Sequence, residues 1–307
     1  MEKTTFTGHT KIFMLISAAI IVVALIMSLF GAGLNMGIDF TGGVLLKYEV
    51  GTDFDVNAVE AALKEQGITE SQISKVGDGD VKTGLQIRFK DQGENTDDLR
   101  ASFETKLKET YPDLAFVNID RVGATAGRDL VANAVYSVLI VAACLLIYIG
   151  IRFDFVSGLA AIICLLHDVL IMVSFMVFAH SLYQVNSSFI AAMLTIIGYS
   201  INNTIVVFDR IRENRKLAEF HGKKLKPVVE KSVRETLSRT INTTLTTLFT
   251  LVTVYVLGVS AIKEFTFPLL VGMLAGTYSS VLLSGQIWAM LEDSGVFGRL
   301  FKKKAKA

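Results

Sequence analysis

Residues 12–34, IFMLISAAIIVVALIMSLFGAGL, contain no charged side chain, and their reading decides what kind of protein this is. An apolar stretch of about 18 residues or more, coiled as a helix, matches the hydrocarbon thickness of a bilayer. It is longer than the roughly 7–15-residue apolar core of a secretory leader. Gly31-Ala32-Gly33 offers small residues for cleavage, yet an uncleaved anchor is the expected outcome.

Outward from that stretch, further apolar segments fall at about 130–151, 156–179, 187–208, 241–262 and 267–291. A charged stretch separates the first segment from the rest. The expected fold is a multi-pass α-helical membrane protein. Its six transmembrane helices carry an extracytoplasmic ferredoxin-like α+β (βαββαβ) domain between helices 1 and 2. The divisions expected are 1–34 for the N-terminus and first helix, 35–128 for the outward domain, 129–292 for helices 2–6 with a basic loop at 209–240, and 293–307 for a basic tail. Of 307 residues 51% are hydrophobic, and the net charge of +1 points to no partner class. Cys144 and Cys164 both fall inside apolar segments, which excludes a disulfide framework.

Lys and Arg in short loops mark the cytoplasmic side. They concentrate in 209–240 (Arg210, Arg212, Arg215 and Lys216 among them), in the tail (Arg299 and Lys302 to Lys304) and at Lys3 and Lys11. With six spans these stretches share one side. Both termini are therefore expected on the cytoplasmic side, and the domain after the first span faces outward.

In the outward region, Val44, Leu46, Tyr48 and Val50 alternate with Leu45, Lys47 and Glu49, a strand period. Asp55 is placed to cap a helix lined by Val56, Val59 and Leu63, with Gly67 to end it. Gln72–Val76 and Leu85–Lys90 read as strands. Asn95 or Thr96 opens a second helix with Leu99, Phe103 and Leu107 inward, and Leu114–Val122 closes the series. The order βαββαβ is the split arrangement of ferredoxin-like folds.

Ionisable groups within spans cost about 2.5–3.5 kcal/mol at the centre and are functional candidates by default. His167-Asp168 lies near the middle of the third span; adjacent helical residues point about 100° apart, so the two are not expected to share a partner face. Thr195, Tyr199, Asn202, Val206 and Asp209 form one stripe on the fourth span, with Ser200 and Asn203 beside it. Arg239, Thr243, Thr246, Thr250 and Thr253 form another on the fifth. Such a stripe can line a hydrated path; alternatively the threonines bond their own helix carbonyls, which is favoured. Arg239 is expected at the cytoplasmic rim, in reach of Asp209. Gly272, Gly276, Ser280 and Ser284 make a small-residue ridge for close helix packing.

Gly37-Ile38-Asp39-Phe40-Thr41-Gly42-Gly43 resembles the signature of the SecF branch of the SecD/SecF family of protein-export membrane proteins. Arg152-Phe153-Asp154-Phe155, Leu166-His167-Asp168-Val169, Ile197–Asn202, Phe208–Glu213 and Ser238-Arg239-Thr240 are similar to that family too, in order along nearly the whole chain. The resemblance implies a half of a two-part machine, paired with SecD. It implies use of the proton-motive force to draw preproteins out of the SecYEG channel after SecA-driven translocation, with YajC and YidC as further associates. The polar residues at membrane depth, Asp168, His167, Asn202, Asn203, Asp209 and Arg239, are then the proton-path or coupling candidates. At Asn203 relatives often carry Asp, and at Asn202 the sister subunit does. An amide cannot be protonated near neutral pH. The proton switch is accordingly assigned to SecD, with Asp168 as the mid-membrane acid this chain offers.

Two other classes were weighed. A half-size exporter of small molecules or lipids needs large outward clefts. An intramembrane enzyme needs convergent groups, but His9, His167, His180 and His221 are scattered and neither HExxH nor GxSxG occurs. No cofactor, metal or enzymatic activity is expected.

Overall fold

A computed structural model of the chain describes residues 8–68, 71–77, 82–91, 96–222, 224–258 and 260–294. Helix α1 (Thr10–Leu29) leads through a linker to a one-turn helix α2 (Ile38–Thr41) and strand β1 (Gly43–Glu49). Then come α3 (Val56–Glu65), β2 (Ser71–Val76), β3 (Gly84–Phe89), α4 (Thr96–Thr110) and β4 (Ala115–Val122). The rest is helical: α5 (Ala124–Arg152), α6 (Phe155–Phe178), α7 (Ser187–Asn214), α8 (Leu225–Leu257), α9 (Ser260–Ser279) and α10 (Gly285–Asp293). A 3₁₀ turn (Ala218–Phe220) lies between α7 and α8, and a π turn (Ser280–Ser284) joins α9 to α10.

Among the described residues six helices are long and apolar enough to cross a membrane, α9 and α10 acting as one. The outward domain folds as expected. Its sheet runs β2-β3-β1-β4 with every pair antiparallel, in register Leu46↔Ile87 and Leu46↔Ile119. Val44, Leu46 and Tyr48 of β1 meet Leu85, Ile87 and Phe89 of β3 beneath Val59 and Leu63 of α3 and Phe103 and Leu107 of α4. Asp55 accepts a hydrogen bond from the Asn57 backbone N–H and so caps α3. Gly67 (φ +82°) ends that helix in the left-handed region open to glycine. Asn95 lies outside the described residues, as do Lys3, Lys223 and the basic tail beyond 294.

The basic stretch 209–240, expected as a loop, is mostly helix. Helix α7 continues to Asn214 and α8 starts at Leu225. At 1.5 Å per residue α8, with 33 residues, runs about 50 Å, against roughly 30 Å of hydrocarbon. Its charged first half is therefore a helical extension beyond the membrane. Lys and Arg are good helix formers, and Glu230–Arg234 makes an i,i+4 pair there. Arg210 and Asn214 of α7 both donate to Glu235 of α8 (2.7 Å each), holding the two extensions together.

Candidate functional site

The centre of the bundle is Asp168 on α6, 1% exposed. Its Oδ2 accepts hydrogen bonds from Ser200 Oγ on α7 (2.5 Å) and Ser279 Oγ on α9 (2.9 Å). Its Oδ1 lies 2.9 Å from His167 Nδ1. Two hydroxyl donors and a histidine nitrogen around one carboxyl group offset its burial, which would otherwise cost several kcal/mol. Two glycines make this possible. A Cβ on Gly276 would meet Ser200 Cβ at 3.0 Å, and one on Gly272 would meet Ile196 and Met172 at 2.6–2.7 Å. The small-residue ridge thus presses α9 against α7 and α6, bringing Ser279 to the carboxylate. Beyond it Ser280 and Ser284 donate to carbonyls of their own helix.

His167 and Asp168 do face different elements. His167 Nε2 meets Ser17 Oγ of α1 at 2.8 Å, and its ring stacks on Tyr278 of α9 (centroids 5.9 Å apart). Their own side chains nonetheless touch, Nδ1 to Oδ1, and make one network.

The remaining candidates divide. Asn203 is buried on α7, whereas Asn202 is exposed and lines a shallow groove with Thr195, Gly198 and Tyr199. Arg239, Thr243, Thr246, Thr250 and Thr253 all lie on the exposed side of α8. The hydroxyls of Thr243, Thr246, Thr250 and Thr253 donate to carbonyls of their own helix at 2.8–3.3 Å, as favoured from sequence. The two stripes are thus outer faces of this chain rather than the walls of a path within it. Asp209 pairs with Arg152 at the end of α5 (3.5 Å), not with Arg239, because Arg152 reaches across the short α5–α6 turn.

The Gly37–Gly43 segment is a joint between domain and bundle. The Gly37 N–H donates to Val185 O and the Val185 N–H to Asn35 O, each at 2.7 Å. Asp39 Oδ2 accepts from the Ser187 N–H (2.7 Å) and Oγ (2.5 Å), placing a carboxylate at the start of α7 where the helix dipole favours it. Phe40 packs into the apolar cluster of α6, α7 and α9, and the Thr41 hydroxyl bonds back to Gly37 O. Gly42 (φ +72°) and Gly43 (φ +125°) adopt backbone that disfavours side chains, and a Cβ on Gly43 would sit 2.7 Å from Phe89 O. Arg88 of β3 braces the joint from above, donating to Met36 O (2.6 Å) and Gln72 Oε1 (3.0 Å). Its burial lowers its pKa, while Glu264 and Asp39 act to raise it.

Ser17, Ser279 and Tyr278 escaped sequence reading, and Ser200 was placed on a stripe but not with Asp168. Single hydroxyls in apolar helices have no period, and their signal exists only once four helices are brought together. No group of three or more His, Cys, Asp or Glu side chains able to hold a metal occurs among the described residues.

Residues 102–294 match the family described as protein export membrane protein SecD/SecF, C-terminal, and residues 28–53 match the SecD/SecF GG motif. Protein translocase subunit SecF of Calditerrivibrio nitroreducens is 35% identical over 287 residues, covering 92% of both chains. Protein translocase subunit SecDF of Bacillus subtilis is 36% identical over 94% of this chain but only 38% of its own length. The crystal structure of the translocon-associated membrane protein SecDF of Thermus thermophilus superposes with a TM-score of 0.82 at 30% identity, over 95% of this chain and 39% of that one. In both SecDF proteins the chain spans about two-fifths of the length. With more than half of its residues matched by the family profile and a full-length relative above 30% identity, the chain belongs to the SecD/SecF family of protein-export membrane proteins.

Proposed function

We propose that the chain is a SecF-type accessory subunit of the Sec translocase, working with a SecD half to couple the proton-motive force to late steps of preprotein export through SecYEG. The observation that carries this reading is Asp168. Among the described residues it is the carboxyl group set in the middle of a span, buried and held by hydroxyl donors from two other helices and by His167 of its own. Charge movement across 100 mV is worth about 2.3 kcal/mol, comparable with the cost of an ionised carboxylate at that depth. Protonation there is enough to switch a packed bundle. The rest of a fused SecDF chain corresponds to the SecD half, and the exposed stripes of α7 and α8, with Asn202, Asp209 and Arg239, are the faces offered to it. SecA, YajC and YidC belong to the same proposed assembly. The protein lies in the cytoplasmic membrane with both termini inside. Matches to protein-translocase subunits over nearly the whole chain do not favour the small-molecule or lipid exporter.

The test is export and proton flux in vesicles holding both halves and the SecYEG channel. Asp168→Asn is expected to weaken proton-driven export in part, whereas removing the SecD intramembrane Asp abolishes it. If this chain alone carries a proton current that Asp168→Asn removes, the division of labour between the halves is wrong. Arg239→Met is expected to impair export with assembly intact. Arg239→Lys separates a simple anchor, which tolerates lysine, from a forked hydrogen-bonding role, which does not. Cysteines placed in 53–110 should react with an impermeant reagent from outside, and those in 216–222 only after lysis.

A further inference from the structure

We propose that Ser17 and Tyr278 are positioning residues that read the protonation state of Asp168 through His167 and report it to α1. The inference rests on the reading of Asp168 as a proton-binding group and extends it to residues not in the family motifs above. It starts from one continuous hydrogen-bonded row. Asp168 Oδ1 meets His167 Nδ1 (2.9 Å), His167 Nε2 meets Ser17 Oγ (2.8 Å), Ser17 Oγ donates to Tyr278 OH (3.4 Å), and Tyr278 OH donates to Phe13 O (2.7 Å). Both ends are fixed. One is a carboxyl that gains or loses a proton, the other a backbone carbonyl that can only accept.

A neutral imidazole has one N–H, and the partner of one nitrogen decides which. When Asp168 is ionised, Nδ1 carries the hydrogen and donates to Oδ1. Nε2 is then an acceptor and takes the Ser17 hydroxyl hydrogen, so Ser17 has none left for Tyr278. When Asp168 is protonated, Oδ1–H donates to Nδ1 and the ring hydrogen stands on Nε2, donating to Ser17 Oγ. The Ser17 hydroxyl is then free to donate to Tyr278 across the 3.4 Å between them. The two states differ by one proton, held on Asp168; the imidazole stays neutral in both, and its N–H changes nitrogen. One bond between α1 and α9 therefore exists in the protonated state alone.

Position gives this bond its leverage. Ser17 is the middle residue of the α1 seam Thr10, Ser17 and Ala24, the buried positions of that helix. Helix α1 runs straight into the linker that carries Asn35 and Met36 to the domain joint. The ring of Tyr278 stacks on His167 and meets Phe13 edge-on, so its hydroxyl is held in place. The ionisable groups coupled to Asp168 are His167 and Cys164 of its own helix, while α7 presents Ser200 and α9 presents Ser279. The charged residues of α1, α5, α7, α9 and α10, such as Lys11, Arg128, Arg152, Asp209, Glu264 and Glu292, stand toward the helix ends.

The experiment is an infrared titration of the chain reconstituted with its SecD half, following the protonated carboxyl band assigned by its loss in Asp168→Asn. Ser17→Ala removes one bond from the ionised state and two from the protonated state. Tyr278→Phe removes the same net bond. Each is expected to move the midpoint to lower pH by about 0.5–1 unit, the worth of one hydrogen bond. Ser17→Thr, which keeps the hydroxyl, should leave the midpoint in place. A purely structural role would lower thermal stability without moving the midpoint. Should Ser17→Ala not fold, Tyr278→Phe, which keeps the ring stack, decides alone. A carboxyl band that titrates with the same midpoint in wild type and both variants overturns this inference and leaves the Asp168 reading standing. The absence of any titrating Asp168 band overturns both.

Discussion

Helices α6, α7 and α9–α10 have 50%, 44% and 61% of their apolar windows buried within the chain, while α1, α5 and α8 have 11%, 6% and 11%. The first group encloses Asp168 and satisfies its oxygens. The second carries a row of threonines and an arginine on an open side. Polar groups in the two regions are thus handled by different means. Around Asp168 they find partners on other helices, whereas on the open side of α8 the hydroxyls of Thr243, Thr246, Thr250 and Thr253 turn back on their own backbone. The covered region is complete within this chain, and the open side of α8 is left uncovered by it.

The contrast can be broken most severely at Gly272. Gly272→Val drives a side chain into Ile196 and Met172, and overpacking of this kind costs about 1–3 kcal/mol. A clear drop in the melting temperature of the solubilised protein is expected; an unchanged one would show that α9 is not pressed as closely as described. Asp39→Ala should cost about 1 kcal/mol by removing the carboxylate that binds the Ser187 N–H and hydroxyl at the start of α7. Its signature is faster amide exchange confined to the first turn of α7, with the domain core unaffected.

Tyr48 tests coverage without satisfaction. Its hydroxyl is buried in the outward domain with no hydrogen-bond partner, and burial raises its pKa. Tyr48→Phe removes that hydroxyl at almost constant shape and is expected to leave stability unchanged or raise it by up to about 1 kcal/mol. A loss greater than that would mean the phenol has a partner. The smallest effect belongs to the open face. Thr250→Ala should lie within about 0.5 kcal/mol of wild type in the isolated chain. The same face should respond to the partner instead. A Thr246→Cys thiol is expected to react with a lipid-phase reagent in the chain alone and to be protected when the SecD half is present.

The sequence made some of this legible and hid the rest for physical reasons. The outward domain could be followed nearly strand by strand, since alternation and caps such as Asp55 and Gly67 are local signals. The spans were countable because a bilayer demands long apolar runs. Their ends were not, because a helix that leaves the membrane keeps its hydrogen bonds while its side chains turn charged. That is why 209–240 read as loop. Asp168 stood out by its cost in an apolar run, but its partners did not. Ser17, Ser200 and Ser279 are scattered over 262 positions and converge only through tertiary packing. The π turn after Ser279 left no readable mark. Arg239 and Asp209 fell on neighbouring rims by pattern, and Arg152 was nearer.

Asp39 has a mechanical consequence. It bonds to the first residue of α7, four positions before β1 begins, and Ser200 of the same helix holds the buried carboxylate. Outward sheet, joint, helix and carboxylate are consequently coupled in series, like shafts on a common gear. Gly43 leaves no room for slack, since its backbone already rests against Phe89. Any rotation of α7 at mid-membrane would have to pass through the Asp39–Ser187 bonds to reach β1, and any pull on the sheet would return by the same route.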